Sequence, residues 1–130
     1  MKQKIVTALL AWLALLILQS AQAFPDRPFP DRPVKLVVPS PAGGPPDIMA
    51  RLLTDKMAAA LGQPIIVENR AGGGGGTVSA RSVMAAEPDG YTLLMGSTST
   101  LLIAPLIYRN TGYGAQTFAP VAGVSETVEV

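Results

Sequence analysis

Cysteine and histidine are both absent from the sequence. Without cysteine there are no disulfides, and no thiol at a cleavage site to carry a lipid. Only carboxylates remain as zinc ligands, which argues against a zinc site and leaves no metal or cofactor implied. A Ser-His-Asp triad or a Cys-His pair cannot be assembled within the chain, which excludes much of enzymology. Charge is scarce and balanced, with 10 basic against 9 acidic side chains. Lys2 and Lys4 stand near the amino terminus, and without them the net charge is about −1, with no basic patch suited to nucleic acid.

Long apolar runs are limited to one. It spans Ile5 to Leu18, comes after the two lysines, and leads to Ala21-Gln22-Ala23. A basic start, a 14-residue apolar core and an A-x-A site together read as a secretory signal peptide over 1–23, cut after Ala23. Fourteen residues fall short of the roughly 20 needed for a membrane-spanning helix, so no stable membrane insertion is expected after cleavage. The remaining 107 residues, Phe24 to Val130, suit one small domain.

Proline and glycine punctuate this mature region. Residues 24–33 read FPDRPFPDRP, a tandem copy of five residues whose prolines favour an extended lead-in. A small duplication in a tolerant terminus accounts for it, with a functional arm as the other reading. VKLVVP (34–39) fits a buried strand. DIMARLLTDKMAAALG (47–62) is helical, with Ile48, Leu52 and the Met49–Leu53–Met57 series on an apolar side continued by Ala60 and Leu61. Asp47–Arg51 and Arg51–Asp55 are expected as i,i+4 ion pairs on the wet side. PIIVE (64–68) is a second strand, AGGGGG (71–76) a loop and TVSARSVMAAE (77–87) a second helix. YTLLMGS (91–97) is a third strand, STLLIAPLIYR (99–109) an irregular helix broken near Pro105, and TFAPVAGV (117–124) the beginning of a fourth strand.

Strands alternating with helices imply an α/β fold, a parallel sheet with flanking helices. In such sheets ligands bind beyond the carboxyl ends of the strands. That places loops 39–46, 69–76 and 96–100 on one edge. The five-glycine run fits neither G-x-G-x-x-G nor G-x-x-x-x-G-K-[ST] in register, which excludes the common nucleotide loops. It is either a flexible connection or a ligand-facing loop. In AGGPPD (42–47), Gly43 and Gly44 leave amides uncovered before a helix, where a carboxylate could be held. Asp47 would instead cap those amides itself, or orient a water or an amine of the ligand. Ser97, Thr98, Ser99 and Thr100 offer four hydroxyls, one of which, Ser97 or Ser99, is expected as a helix cap. Arg51, Arg70 and Arg81 are the candidate cations for an acidic ligand; Arg51 is read as structural, and Arg70 stands in a binding loop.

FPDRPVKLVVPSPAGGPPDIMARLL, LGQPIIVENRAGGGGGTVSA, AAEPDGYTLLMGSTST and FAPVAGV together resemble the Bug family, the TctC-like receptors of tripartite tricarboxylate transporters. The resemblance runs from about Phe29 to Val124. It implies a two-lobed periplasmic-binding-protein fold that closes around a small carboxylate and hands it to membrane permease subunits, without catalysis. On this chain it implies Ala42, Gly43, Gly44 and Asp47 as one set of ligand contacts, and Ser97, Thr98 and Ser99 as another. Ser40 stands where the family usually has an aromatic residue, and Pro46 where it commonly has Thr or Ser. The loop NRAGGGGG is looser than the family's form, and the extra FPDRP copy is additional.

The family is about twice this length or more. Residues 34–130 are therefore expected to form an incomplete α/β lobe, part of the first lobe, with the second absent. The expected protein is an exported periplasmic receptor for tricarboxylates, dicarboxylates or amino acids, here as an amino-terminal fragment whose binding is weak or absent. The alternative is a truncated gene remnant that binds nothing.

Overall fold

The computed structural model describes residues 28–126. Residues 1–23, where a signal peptide is expected, and most of the first FPDRP copy lie outside them. Three strands form one sheet: β1 (Val34–Val38), β2 (Ile65–Asn69) and β3 (Thr92–Leu94). Their order is β2-β1-β3 and both pairings are parallel, with Leu36 facing Val67 on one side and Leu93 on the other. β1 is central, and its run of valines is buried on both faces, as a middle strand of a covered parallel sheet requires.

Helix α1 (Pro45–Leu61) connects β1 to β2, and α2 (Thr77–Met84) leads from β2 towards β3. The first crossover steps to one side of β1 and the second steps back past it. Right-handed crossovers in opposite directions put α1 and α2 on opposite faces. Leu36, Val38 and Ala50 form the core beneath α1, with Ile65, Val67, Leu93 and Met95 against them. Ser79 and Ala80 on α2 are fully buried. Small side chains there let the helix backbone come close to the layer below.

α1 begins two residues earlier than its pattern indicates, because Pro45 and Pro46 occupy the first turn, where a missing N–H costs least. It stops at Gly62 in the left-handed conformation. Its buried side differs from the expected one. Asp47, Ala50 and Thr54 are buried, whereas Ile48 is 53% and Leu52 71% exposed. α2 ends three residues short of its pattern, where Ala86 N–H bonds back to the Val83 carbonyl in a tighter turn ahead of Pro88.

β3 is shorter than YTLLMGS because only Lys35 to Val37 face it. The irregular helix is present in two parts. Ser99–Ile103 makes a wide π turn, with Ala104 N–H reaching the Ser99 carbonyl, and a short helix α3 (Ala104–Ile107) succeeds it. Pro105 lacks the N–H a regular helix would use there. The expected fourth strand at 117–124 is corrected. Ala115–Thr117 is a single tight turn, and the chain beyond runs without a ladder partner among the described residues. An extended segment becomes a strand only when a neighbour accepts its hydrogen bonds, and Pro120 removes one donor.

The second FPDRP copy is an anchor rather than slack. Phe29 meets Tyr91 edge to face at 4.9 Å. Asp31 N–H donates to the Tyr91 hydroxyl (2.9 Å), which donates to Asp31 Oδ1 (2.8 Å). Arg32 stacks 4.1 Å from the Tyr91 ring centre and pairs with Asp89. Tyr91→Phe keeps the ring and loses both Asp31 bonds. It is expected to cost about 1 kcal/mol in urea unfolding, with the m-value unchanged.

Candidate functional site

The order β2-β1-β3 reverses direction at β1. This is where a doubly wound sheet opens a crevice at its carboxyl edge. The loops after all three strands meet at that edge.

The first loop is closed by Gly44 N–H on the Pro41 carbonyl at 3.1 Å. Gly43 N–H donates to Asp47 Oδ2 at 2.8 Å. Asp47 turns inward from the first turn of α1 and is only 2% exposed, which corrects its expected place on the wet side. Arg51 Nε lies 3.0 Å from Asp47 Oδ2 and 3.1 Å from Oδ1. Asn69 Nδ2, at the end of β2, donates to Asp47 Oδ1 (2.9 Å) and to the Ser40 carbonyl (3.2 Å). The Arg51 hydrogen bond, the Gly43 N–H and the Asn69 amide, in that order, hold the Asp47 carboxyl well below the usual carboxylate range against the opposing effect of burial. The same pairing raises Arg51.

This arrangement changes what the loop can offer. The Gly43 and Gly44 amides are already engaged within the chain, and Pro45 and Pro46 have none. Asp47 bonds a loop amide rather than capping the helix. Ala42 is exposed at the tip. Ser40 Oγ is buried and has no hydrogen-bond partner among the described residues.

The third loop is built differently. Ser97 Oγ accepts the Thr100 N–H at 3.2 Å, and the Ser97 carbonyl takes the Leu101 N–H, so Ser97 is the cap. Thr98 and Ser99 are exposed, and their hydroxyls have no protein partner among the described residues. Tyr113, whose phenol burial pushes up, donates to the Thr100 carbonyl at 2.8 Å and supports the loop from beneath.

The glycine run lies between these loops and is fitted to both. A Cβ at Gly74 would overlap the Tyr108 ring. At Gly76, where φ is +84°, a Cβ would lie 2.7 Å from Pro39 Cβ and 3.0 Å from Thr100 Oγ1. The run is therefore a packed turn between first and third loops, and the reading as a flexible connection is corrected. Arg70 pairs with Glu68, which also holds Lys35 at 2.9 Å; Lys35 and then Arg70 keep the Glu68 carboxyl low. Arg81 donates to the Asn110 and Thr111 carbonyls. With Arg51 on Asp47, all three candidate arginines have partners within the chain.

Sequence reasoning missed Asn69 and Tyr108. The first carries its signal in position, an amide at the end of a strand, and the second shows only as an aromatic next to no obvious partner. Among the described residues no acidic cluster is arranged to hold a metal. A cavity of about 270 Å³ lies at the opposite edge, lined by residues including Arg32, Lys35, Asp89 and Tyr91, and belongs to the amino-terminal anchor.

A carboxyl with a depressed folded pKa stabilises the fold above its unfolded pKa, and the effect is lost as pH falls. Wild type should therefore lose stability below about pH 4, and Asp47→Asn should be less stable at pH 7 with a shallower acid limb, read by thermal unfolding from pH 7 to 3. Gly76→Ala combines a left-handed residue with overpacking and is expected to cost about 2–4 kcal/mol. Gly43→Ala, with open space around its Cβ, should cost only about 1–2 kcal/mol by the same unfolding assay.

Known proteins share this architecture. The model of the tripartite tricarboxylate transporter family receptor matches residues 49–130. A UPF0065 protein of Bordetella bronchiseptica is 41% identical over 111 residues, covering 85% of this chain and 33% of its own length. Protein BugT of Bordetella pertussis is 40% identical over 78% of this chain and 31% of its own. The solved MatC of Rhodopseudomonas palustris with bound malate is 46% identical, with a TM-score of 0.63, over 67% of this chain and 29% of that one. A second R. palustris structure, with adipate, gives 33% and 0.58 over 68% and 29%. The chain thus spans about a third of the length of the curated relatives it matches. With a parallel sheet that superposes on solved receptors and a family match over most of its length, the chain belongs to the TctC family of tripartite tricarboxylate transporter receptors.

Proposed function

We propose that this chain contributes one wall of a periplasmic receptor site for a small carboxylate, exported by its amino-terminal segment and feeding membrane permease subunits, without catalysing a reaction. The observation that carries this reading is the convergence of three loops at the carboxyl edge of the sheet, locked together by Asp47, Asn69 and the glycine turn. The malate and adipate seen in two related structures support a dicarboxylate as the ligand class.

Of the residues expected to touch the ligand, Thr98 and Ser99 are the best placed. Their hydroxyls are exposed and uncommitted, and hydroxyls can donate to carboxylate oxygens. Ala42 offers its position at the loop tip. Gly43, Gly44, Asp47 and Ser97 act one step back, by setting the shape of the loops that carry those contacts. A wall without an opposing lobe leaves the ligand open to water, where charged contacts are screened and weak.

The test is a thermal scan of the protein with L-malate, succinate, adipate and citrate. Weak but selective binding is expected: one acid raises Tm at millimolar concentration and none does so at micromolar. A fivefold excess over Kd adds about 1 kcal/mol, or about 4–8 °C for a domain of this size. Thr98→Ala with Ser99→Ala should abolish the shift while leaving the ligand-free Tm unchanged. Tight binding, or no response to any of the acids, would overturn the reading.

A further inference from the structure

The chain has three tyrosines, and two of their hydroxyls are committed. Tyr91 bonds Asp31, and Tyr113 bonds the Thr100 carbonyl. Tyr108 differs. It stands just after α3, where its N–H closes that helix on the Ala104 carbonyl at 2.9 Å. It is 47% exposed, and its hydroxyl has no partner among the described residues. A phenol can donate one hydrogen bond and accept others, so this group is open to a guest.

The glycine run fixes where the phenol lies. Of its five members, Gly72, Gly73, Gly75 and Gly76 have positive φ, and Gly74 does not. The backbone therefore does not require glycine at 74. Tyr108 does, because a Cβ there would overlap the phenol oxygen and the ring carbons beside it. The next two glycines continue the line. A Cβ at Gly75 would lie 3.1 Å from the Ser99 carbonyl oxygen, and one at Gly76 would lie 3.0 Å from Thr100 Oγ1. Successive Cα atoms are about 3.8 Å apart, so the phenol oxygen and the Ser99 backbone stand within roughly 12 Å of each other. A short dicarboxylate with a hydrogen bond at each end bridges a span of that order.

We propose that Tyr108 is a specificity-determining residue of this site: its phenol donates to the far carboxylate of a dicarboxylate whose near carboxylate rests on Thr98 and Ser99. The inference rests on the carboxylate reading and assigns a residue to the choice between one acidic group and two. The glycine seat holds the hydroxyl end of the side chain, so the group held in place is the donor. A monocarboxylate on Thr98 and Ser99 leaves that donor unmet. Arg51 and Arg70 are paired with carboxylates and Arg81 with backbone carbonyls, so none of the three is free to take the second charge. A neutral donor suits it, because a hydrogen bond to an ionised oxygen is stronger than one between neutral groups.

The experiment titrates the protein with succinate, L-malate and adipate, and with butyrate as a monocarboxylate of similar size. Binding is read from Tm and from the NMR signals of the Tyr108 ring, which are those missing in Tyr108→Phe. That variant keeps the ring on Gly74, so its ligand-free Tm should match wild type. It should weaken binding of the dicarboxylate that wild type takes by about fivefold, and leave the response to butyrate as it was. The Tyr108 ring signals should move with that dicarboxylate and stay in place with butyrate. Unchanged dicarboxylate affinity in Tyr108→Phe, or an equal loss for butyrate, would overturn this proposal and leave the carboxylate reading standing. A wild-type protein that answers to none of the acids would overturn both.

Discussion

The Asp47 carboxylate is buried in the first turn of α1 and must be compensated there, because an isolated buried charge is among the costliest features a fold can contain. Three donors meet that need, and each comes from a different place in the chain: the Gly43 amide, the Arg51 guanidinium and the Asn69 side chain. The requirement ties the loop after β1 to the helix that succeeds it and to the end of β2. It also favours the helix itself, since a negative charge in the first turn complements the positive end of the helix dipole.

The rest of the carboxyl edge is arranged around that fixed point. Asn69, oriented by Asp47, holds the Ser40 carbonyl, and Pro39 just before it is the surface against which Gly76 closes. Gly76 in turn leaves room for Thr100, whose carbonyl receives the Tyr113 hydroxyl. Loop by loop, the polar and backbone groups are consumed by one another. A wall of this kind is preorganised rather than adaptable. Among the described residues of these loops, the buried Ser40 Oγ and the exposed Thr98 and Ser99 hydroxyls remain without a partner.

The opposite character appears where packing is incomplete. Three strands and two helices provide a core centred on β1, while Leu52 on α1 and Leu106 on α3 stand largely in water. A chain of this size buries a smaller fraction of its apolar surface than a larger domain does. The anchor at the amino edge offsets part of that shortfall locally. Phe29, Asp31 and Arg32 surround Tyr91 and fasten the chain just before β1 begins.

Much of the architecture was legible in the residues themselves. β-branched runs, turn residues and helical spacing are local signals, and they placed β1, α1, β2, α2 and β3 to within a few residues, as well as the parallel sense that brings three loops to one edge. The unreadable features were those set by distant partners. Whether Asp47 points to solvent depends on an asparagine 22 positions away. Whether five glycines are slack depends on Tyr108, Pro39 and Thr100 arriving beside them. Whether residues 117–124 make a strand depends on a free neighbouring edge, which no local propensity supplies. Sequence alone determined the elements and their sense, because these arise from short-range sterics and the spacing of apolar side chains. Tertiary structure decided which polar groups remain free for a ligand and which apolar ones remain uncovered, because satisfaction and burial are properties of neighbours brought together only by folding.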